Sequence, residues 1–222
     1  MPSEKIWDFW AGKYDSLWVQ KYSLEPTRQL ILNEIKCRIK KEGGQKIRLL
    51  DIGCGTGQLI QDIQKEFPGR QITCRGLDKA PEMIRQACGK AIPNSVFSVG
   101  DAQNLKPLGE QYDLITCCHS FPYYPDKKET LQEFRMVLKP RGVLYLVQAA
   151  ANTWYDRLIL SLVKLTTSPG DYPADEQVIK LAAEAGMVVC RQKRLAGFSF
   201  VPSITLSIMK KERADEGTIN TA

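Results

Sequence analysis

The feature that most constrains this chain is Leu49-Leu50-Asp51-Ile52-Gly53-Cys54-Gly55-Thr56-Gly57, an apolar run ending in an acid and three alternating glycines. Residues 47–52 (IRLLDI) read as a buried strand, because a short run apolar on both faces suits the middle of a parallel sheet. Beyond Gly57, Leu59, Ile60, Ile63 and Phe67 recur at helical spacing until Pro68-Gly69 stops them. Strand, glycine turn and helix in that order let the backbone turn sharply and admit a ligand closely. They also aim backbone N–H groups and a helix N-terminus at whatever binds. A dinucleotide fold would place its third glycine at position 58, where this chain has Gln58. No Gly-Lys-Ser/Thr follows, which excludes a nucleotide-triphosphate P-loop.

The rest of the chain repeats the alternation. Strands are expected at 71–77, 95–99, 113–118, 142–148, 187–195 and 204–210. Helices are expected from Pro81, over 127–138 up to Pro140-Arg141-Gly142, and near 155–165 and 175–185. Such alternation argues for a mostly parallel sheet covered on both faces. The last two strands are separated only by a Gly/Pro-containing turn, Gly197 to Pro202, so they should form a hairpin with one strand reversed.

Asp78, 21 residues past Gly57, ends the second strand, where a carboxylate can accept both hydroxyls of a ribose. Asp101 follows the third strand, where it can accept from an exocyclic amine. Either acid alone also suits a turn or a helix cap. Together with the glycine loop they mark the carboxyl ends of three successive strands, the edge at which open α/β sheets bind ligands.

At 222 residues, with 43% hydrophobic and 25% charged content, one soluble globular domain is expected. Its parts should be an N-terminal helical cap or lid over 1–42, a core over 47–210 and a frayed tail over 212–222. No stretch reaches the roughly 20 apolar residues of a membrane span. The opening MPSEKIWDFW lacks a basic-then-apolar pattern, so export is not expected. Seven cysteines without a CxxC pair read as reduced thiols in a cytoplasmic protein. A net charge of +6 raises the question of nucleic acid, but the basic residues are scattered and aromatics do not interleave with them. A solvated face or an anionic substrate fits that pattern better. One histidine and dispersed acids make no metal cluster.

In order along the chain, LLDIGCGTG, GLDKAPEMI, SVGDAQNL, YDLITCCHSFPYY and LKPRGVLYLVQ resemble the motifs of class I S-adenosylmethionine-dependent methyltransferases. The resemblance covers about residues 10–210 and is nearest the small-molecule branch that contains the ubiquinone/menaquinone-biosynthesis enzymes. It implies a Rossmann-like three-layer sandwich whose seven-stranded, mostly parallel sheet has its last strand antiparallel. It also implies S-adenosylmethionine as cofactor, with S-adenosylhomocysteine as product. Carried over by position, Asp51, Gly53, Cys54, Gly55 and Gly57 hold the methionine part. Asp78 takes the ribose, Lys79 and Met83 flank the adenine, Asp101 and Ala102 meet its edge, and Cys117 lines the sulfonium side.

Methyl transfer from a sulfonium needs mainly a well-placed acceptor, and an acid or base only when the acceptor must lose a proton. His119, just past the fourth strand, is a candidate base or substrate partner, or a structural residue. Tyr123 and Tyr124 follow it and either shape the acceptor pocket or pack. Six of the nineteen aromatics lie in the first 22 residues, with Trp7, Trp10, Tyr14 and Trp18 on one helical face. Tyr14 is the residue expected to touch the cofactor. Tyr22 and Arg28 are further candidates, Arg28 as a bidentate holder of an anionic acceptor. Cys118-His119-Ser120-Phe121 is not the Asn/Asp-Pro-Pro-Tyr/Phe of base-amine methylation. Cys117-Cys118 lacks the proline context of a nucleophilic cysteine. A small-molecule acceptor leads; an RNA or protein methyltransferase and a non-catalytic cofactor-binding regulatory subunit are the alternatives. Both monomer and homodimer remain open.

Overall fold

The computed structural model describes residues 24–42, 45–69, 71–166, 169–195 and 202–212. Its elements in chain order are α1 (Glu25–Glu42), β1 (Ile47–Ile52), α2 (Gln58–Glu66), β2 (Ile72–Asp78), α3 (Pro81–Gly89), β3 (Ser95–Val99) and β4 (Tyr112–Cys118). There follow α4 (Lys127–Val137), β5 (Leu138–Ala149), α5 (Trp154–Thr166), α6 (Asp175–Glu184), β6 (Met187–Leu195) and β7 (Ile204–Lys211).

Seven strands form one sheet in the order β3-β2-β1-β4-β5-β7-β6. The ladders from β3 to β5 are parallel, whereas β7 runs antiparallel to both β5 and β6. The expected hairpin forms, and it slots its second strand inside the first. β1 sits mid-sheet, and its residues Leu49, Leu50 and Ile52 are at most 1% exposed, as a strand covered on both faces requires.

Two apolar layers enclose the sheet. On one face Ile31, Ile35 and Ile39 of α1 pack with Leu59, Ile60 and Ile63 of α2 over Leu49, Leu114 and Val147. On the other, Leu131 and Phe134 of α4 and Val178 and Ala182 of α6 pack over Leu50, Ile115, Leu146 and Met209. The part of the expected N-terminal cap that is described, α1, therefore lies in a sheet-covering layer. Residues Ile31, Ile35 and Ile39, spaced by four, give it an apolar stripe that the sheet buries.

One boundary differs from its sequence expectation. β5 begins at Leu138, before Pro140, with Leu138 paired to Tyr112 and fully buried; the ladder then shifts register between Tyr112 and Leu114. Proline has no ladder donor, so the strand passes it at an irregularity. No described helix is long and apolar enough to cross a membrane.

Candidate cofactor and acceptor site

β1 delivers the glycine loop to the carboxyl edge of the sheet. Gly53, Gly55 and Gly57 all have positive φ, at 70°, 53° and 76°, a region costly for residues with a Cβ. Gly53 is required for a second reason: a Cβ there would lie 2.3 Å from Ser120 Cβ and Oγ. The N–H groups of Gly53 and Cys54 donate to Leu77 O at 2.8 and 3.1 Å, which ties the loop to the end of β2. Gly57 caps α2 without a side-chain acceptor, which leaves first-turn N–H groups for a ligand.

Asp78 lies over this loop. Its Oδ2 accepts from Gly55 N at 2.8 Å and its Oδ1 from Ala80 N at 2.9 Å. A carboxylate has about four acceptor positions, and these two backbone bonds orient Asp78 at the rim of the loop. Asp101 stands at the end of the adjacent strand, its Oδ1 accepting from Gln103 N and its Oδ2 from Lys79 Nζ, both at 3.0 Å. Partial burial opposes its ionisation, but the Gln103 amide and the Lys79 ammonium outweigh that and hold the carboxyl below its ordinary range. Ala102 and Met83 are buried beside these acids as small and flexible apolar surfaces.

Asp51 is the most perturbed acid. It is 2% exposed, and burial pushes its carboxyl up to about 7. The Thr116 hydroxyl, donating at 2.7 Å, opposes this, and the Asp78 charge adds to it. A buried carboxylate so placed is short of a cationic partner. The same burial, with the charges of Asp51 and Asp78, raises the Cys54 thiol well above its usual value and keeps it protonated.

At the end of β4, Cys117 is fully buried, with its thiol 3.2 Å from Ser120 Oγ. Ser120 donates to Ile52 O at 3.1 Å and accepts from Tyr124 OH at 2.9 Å. Ser120 is thus a side chain that meets the glycine loop, with Cys117 beside it. His119 adopts φ 61°, and its Nε2 lies 3.1 Å from Thr27 Oγ1 of α1. Burial lowers it to about 4, so it is neutral near pH 7. The Tyr123 hydroxyl is 3.0 Å from that of Tyr172.

Arg28 turns inward instead of to an anionic acceptor. Its Nε donates to Asp62 at 2.7 Å and its Nη1 to Gln58 at 2.8 Å. Tyr14, Tyr22 and the tryptophans at 7, 10 and 18 lie outside the described residues. Sequence reasoning missed Thr116, Thr27 and the structural role of Ser120. Each acts across strands or helices far apart in sequence, and no short-range spacing announces such a contact. Among the described residues no three His, Cys, Asp or Glu side chains gather as a metal set.

Residues 49–142, from the middle of β1 to the early part of β5, match a methyltransferase domain family. A demethylmenaquinone methyltransferase of Thermotoga maritima is 29% identical over 65% of this chain and 60% of that protein. A trans-aconitate 2-methyltransferase of Deinococcus radiodurans is 34% identical over 47% of this chain and 38% of that protein. The chain thus spans no more than about three fifths of these relatives' length. In fold it matches a putative methyltransferase from Haloferax volcanii, solved with the Trm112 methyltransferase activator, at TM-score 0.75 and 18% identity. That match covers 93% of this chain and 98% of the other. Magnesium protoporphyrin IX methyltransferase of Synechocystis, solved with bound S-adenosylhomocysteine, matches at 0.68 and 17% identity, over 88% of each chain.

The fold is that of the Rossmann-like methyltransferases. By these matches the chain is similar to the class I S-adenosylmethionine-dependent methyltransferases, among them relatives named for small-molecule substrates. The residues present fit that cofactor. Among the described residues Asp51 meets no cation, the group that an amino-acid moiety carries, and Asp78 is held as a carboxylate at the rim of the loop, where a ribose would meet it. The left-handed glycines let a ligand approach the backbone.

Proposed function

We propose that this protein transfers a methyl group from S-adenosylmethionine to a small-molecule acceptor. The observation that carries the reading is Asp78, held by Gly55 N and Ala80 N at the junction of the glycine loop and β2. The bound cofactor supplies an electrophilic methyl on a sulfonium. The chain's own work is binding and orientation. Asp51 faces the cofactor's amino group, Gly53, Cys54, Gly55 and Gly57 form the cradle, and Asp78 accepts from the ribose. Lys79, Met83, Asp101 and Ala102 surround the adenine. Cys117 supports Ser120 from beneath.

A group with a pKa of about 4 is poorly matched to proton removal at neutral pH, where the best base titrates near the working pH. His119 therefore serves as a neutral positioning residue through Thr27, and Tyr123 with Tyr172 walls the acceptor side. The small-molecule reading is supported by relatives named for demethylmenaquinone and trans-aconitate. A cytoplasmic location is supported by seven cysteines that are all unpaired.

Calorimetric titration with S-adenosylmethionine and S-adenosylhomocysteine, with NAD as control, tests the assignment. Micromolar binding of both, at least tenfold weaker in Asp78→Ala, is expected from the loss of charge-assisted hydrogen bonds. Preference for NAD, or no effect of the substitution, would refute it.

A further inference from the structure

Away from the glycine loop, on the β5–β7 half of the same sheet edge, three buried polar atoms have no partner among the described residues: Gln148 Oε1, Asn152 Nδ2 and Thr205 Oγ1. Gln148 and Thr205 are each 2% exposed. They are register partners across β5 and β7, so their Cβ atoms stand about 5 Å apart on one face. Gln148 Nε2 donates to Pro173 O at 3.1 Å, and Asn152 Oδ1 accepts from Asp175 N at 2.8 Å. Both amides therefore brace the same short segment that leads into α6. Those bonds also fix which way each amide faces. The open atoms are an acceptor on Gln148, a donor on Asn152 and a hydroxyl on Thr205.

Buried polar groups are nearly always satisfied, so three unmet atoms on one small patch call for a ligand group. The place is apt. β4 and β5 are neighbours, with Cys118 paired to Val147 and His119 N donating to Val147 O at 2.8 Å, one residue before Gln148. The segment braced by the two amides continues back to Tyr172 and Asp171, where Asp171 N donates to Pro122 O beside Tyr123. The patch thus joins the wall assigned to the acceptor.

We propose that Gln148, Asn152 and Thr205 form a neutral anchor for a hydroxyl-bearing acceptor, a specificity element of the methyltransferase site. This rests on the methyltransferase reading above. A hydroxyl can donate to Gln148 Oε1 while its oxygen accepts from Asn152 Nδ2 and from the Thr205 hydroxyl. A carboxylate brings no proton for the glutamine oxygen, and an ammonium brings no acceptor for the asparagine. The cations described nearby already face carboxylates: Arg194 meets Asp175 at 2.9 Å and Lys127 meets Asp171 at 3.2 Å. The anchor therefore selects a phenol or alcohol over a carboxylic acid.

Fluorine NMR titrations with para-fluorophenol, para-fluoroanisole and para-fluorobenzoate test this, on protein with and without saturating S-adenosylhomocysteine. The phenol is expected to bind at least about tenfold more tightly than the other two, the effect of one well-made buried hydrogen bond. Thr205→Val removes only the unpartnered hydroxyl. It should keep the melting temperature and the S-adenosylhomocysteine affinity while weakening the phenol about tenfold. Gln148→Met is the second variant and should bring phenol and anisole to equal affinity. Equal binding of the three probes, a preference for the benzoate, no binding of the phenol, or wild-type phenol affinity in Thr205→Val would overturn the proposal; the patch then holds only water. Failure of S-adenosylhomocysteine to bind would instead overturn the cofactor assignment, and the fragment comparison without it would still decide the anchor.

Discussion

Replacing Asp51 by Asn should change stability in a way that depends steeply on pH. The carboxyl moves from 3.8 to about 7 on folding because it is buried. Between those values the folded chain holds a proton that the unfolded chain has lost, so stability falls as pH rises and levels off above about pH 7. For that shift the deficit is about 1.7 kcal/mol at about pH 5 and about 4.3 kcal/mol at about pH 8. Asn keeps an oxygen for the Thr116 hydroxyl but carries no charge, so the deficit vanishes in the variant. Its new amide protons impose a cost that does not vary with pH. The variant-minus-wild-type stability should therefore rise by roughly 2.6 kcal/mol from about pH 5 to about pH 8. At about 2–4 °C per kcal/mol for a chain of this size, that is roughly 5–10 °C in melting temperature. Differential scanning calorimetry of both proteins without ligand gives the difference directly. A melting-temperature difference that stays constant across that range would refute the argument. The same carboxylate should make S-adenosylhomocysteine binding tighten as pH rises towards about 7 in the wild type and leave it flat in the variant.

Gly53→Ala should cost about 2–5 kcal/mol in urea melts, combining left-handed backbone strain with overpacking against Ser120. Adding Ser120→Gly should recover the packing share and leave the backbone share. His119→Gln should flatten the acid side of the stability profile. The histidine is lowered from 6.5 to about 4 by burial, so the unfolded chain takes up its proton first and wild-type stability drops as pH falls through that window. The variant should gain roughly 2.5 kcal/mol relative to wild type between about pH 7 and pH 4.5, and parallel profiles would contradict it.

Much of the sheet was legible because its signals are local. The run at 47–52, the glycine turn and the helix after it are written within twenty residues, and Asp78 and Asp101 stand out by ending strands. The hairpin at the end was legible from two strand-like runs and a turn. What escaped depends on register. Ser120 matters because it meets Gly53 across the β1–β4 junction, and Gln148 faces Thr205, 57 positions further along the chain, through an antiparallel ladder. No spacing within one segment encodes either contact. Arg28 misled for a related reason: a surface-looking arginine on α1 finds Asp62 and Gln58 only once α1 and α2 lie side by side.

The insertion of β7 between β5 and β6 has a bearing on how the chain is made. Every earlier strand can find its neighbour as it leaves the ribosome, but β6 has no partner in the sheet until residues 204–211 arrive. A nascent chain arrested before Ile204 would hold the glycine loop, Asp78 and Asp101, yet present β5 with a bare edge. Two open strand edges on a partly folded chain invite pairing with other chains. The last eight residues of the sheet are thus where synthesis passes from an intermediate with a bare central strand to a sheet in which β5 is paired on both sides.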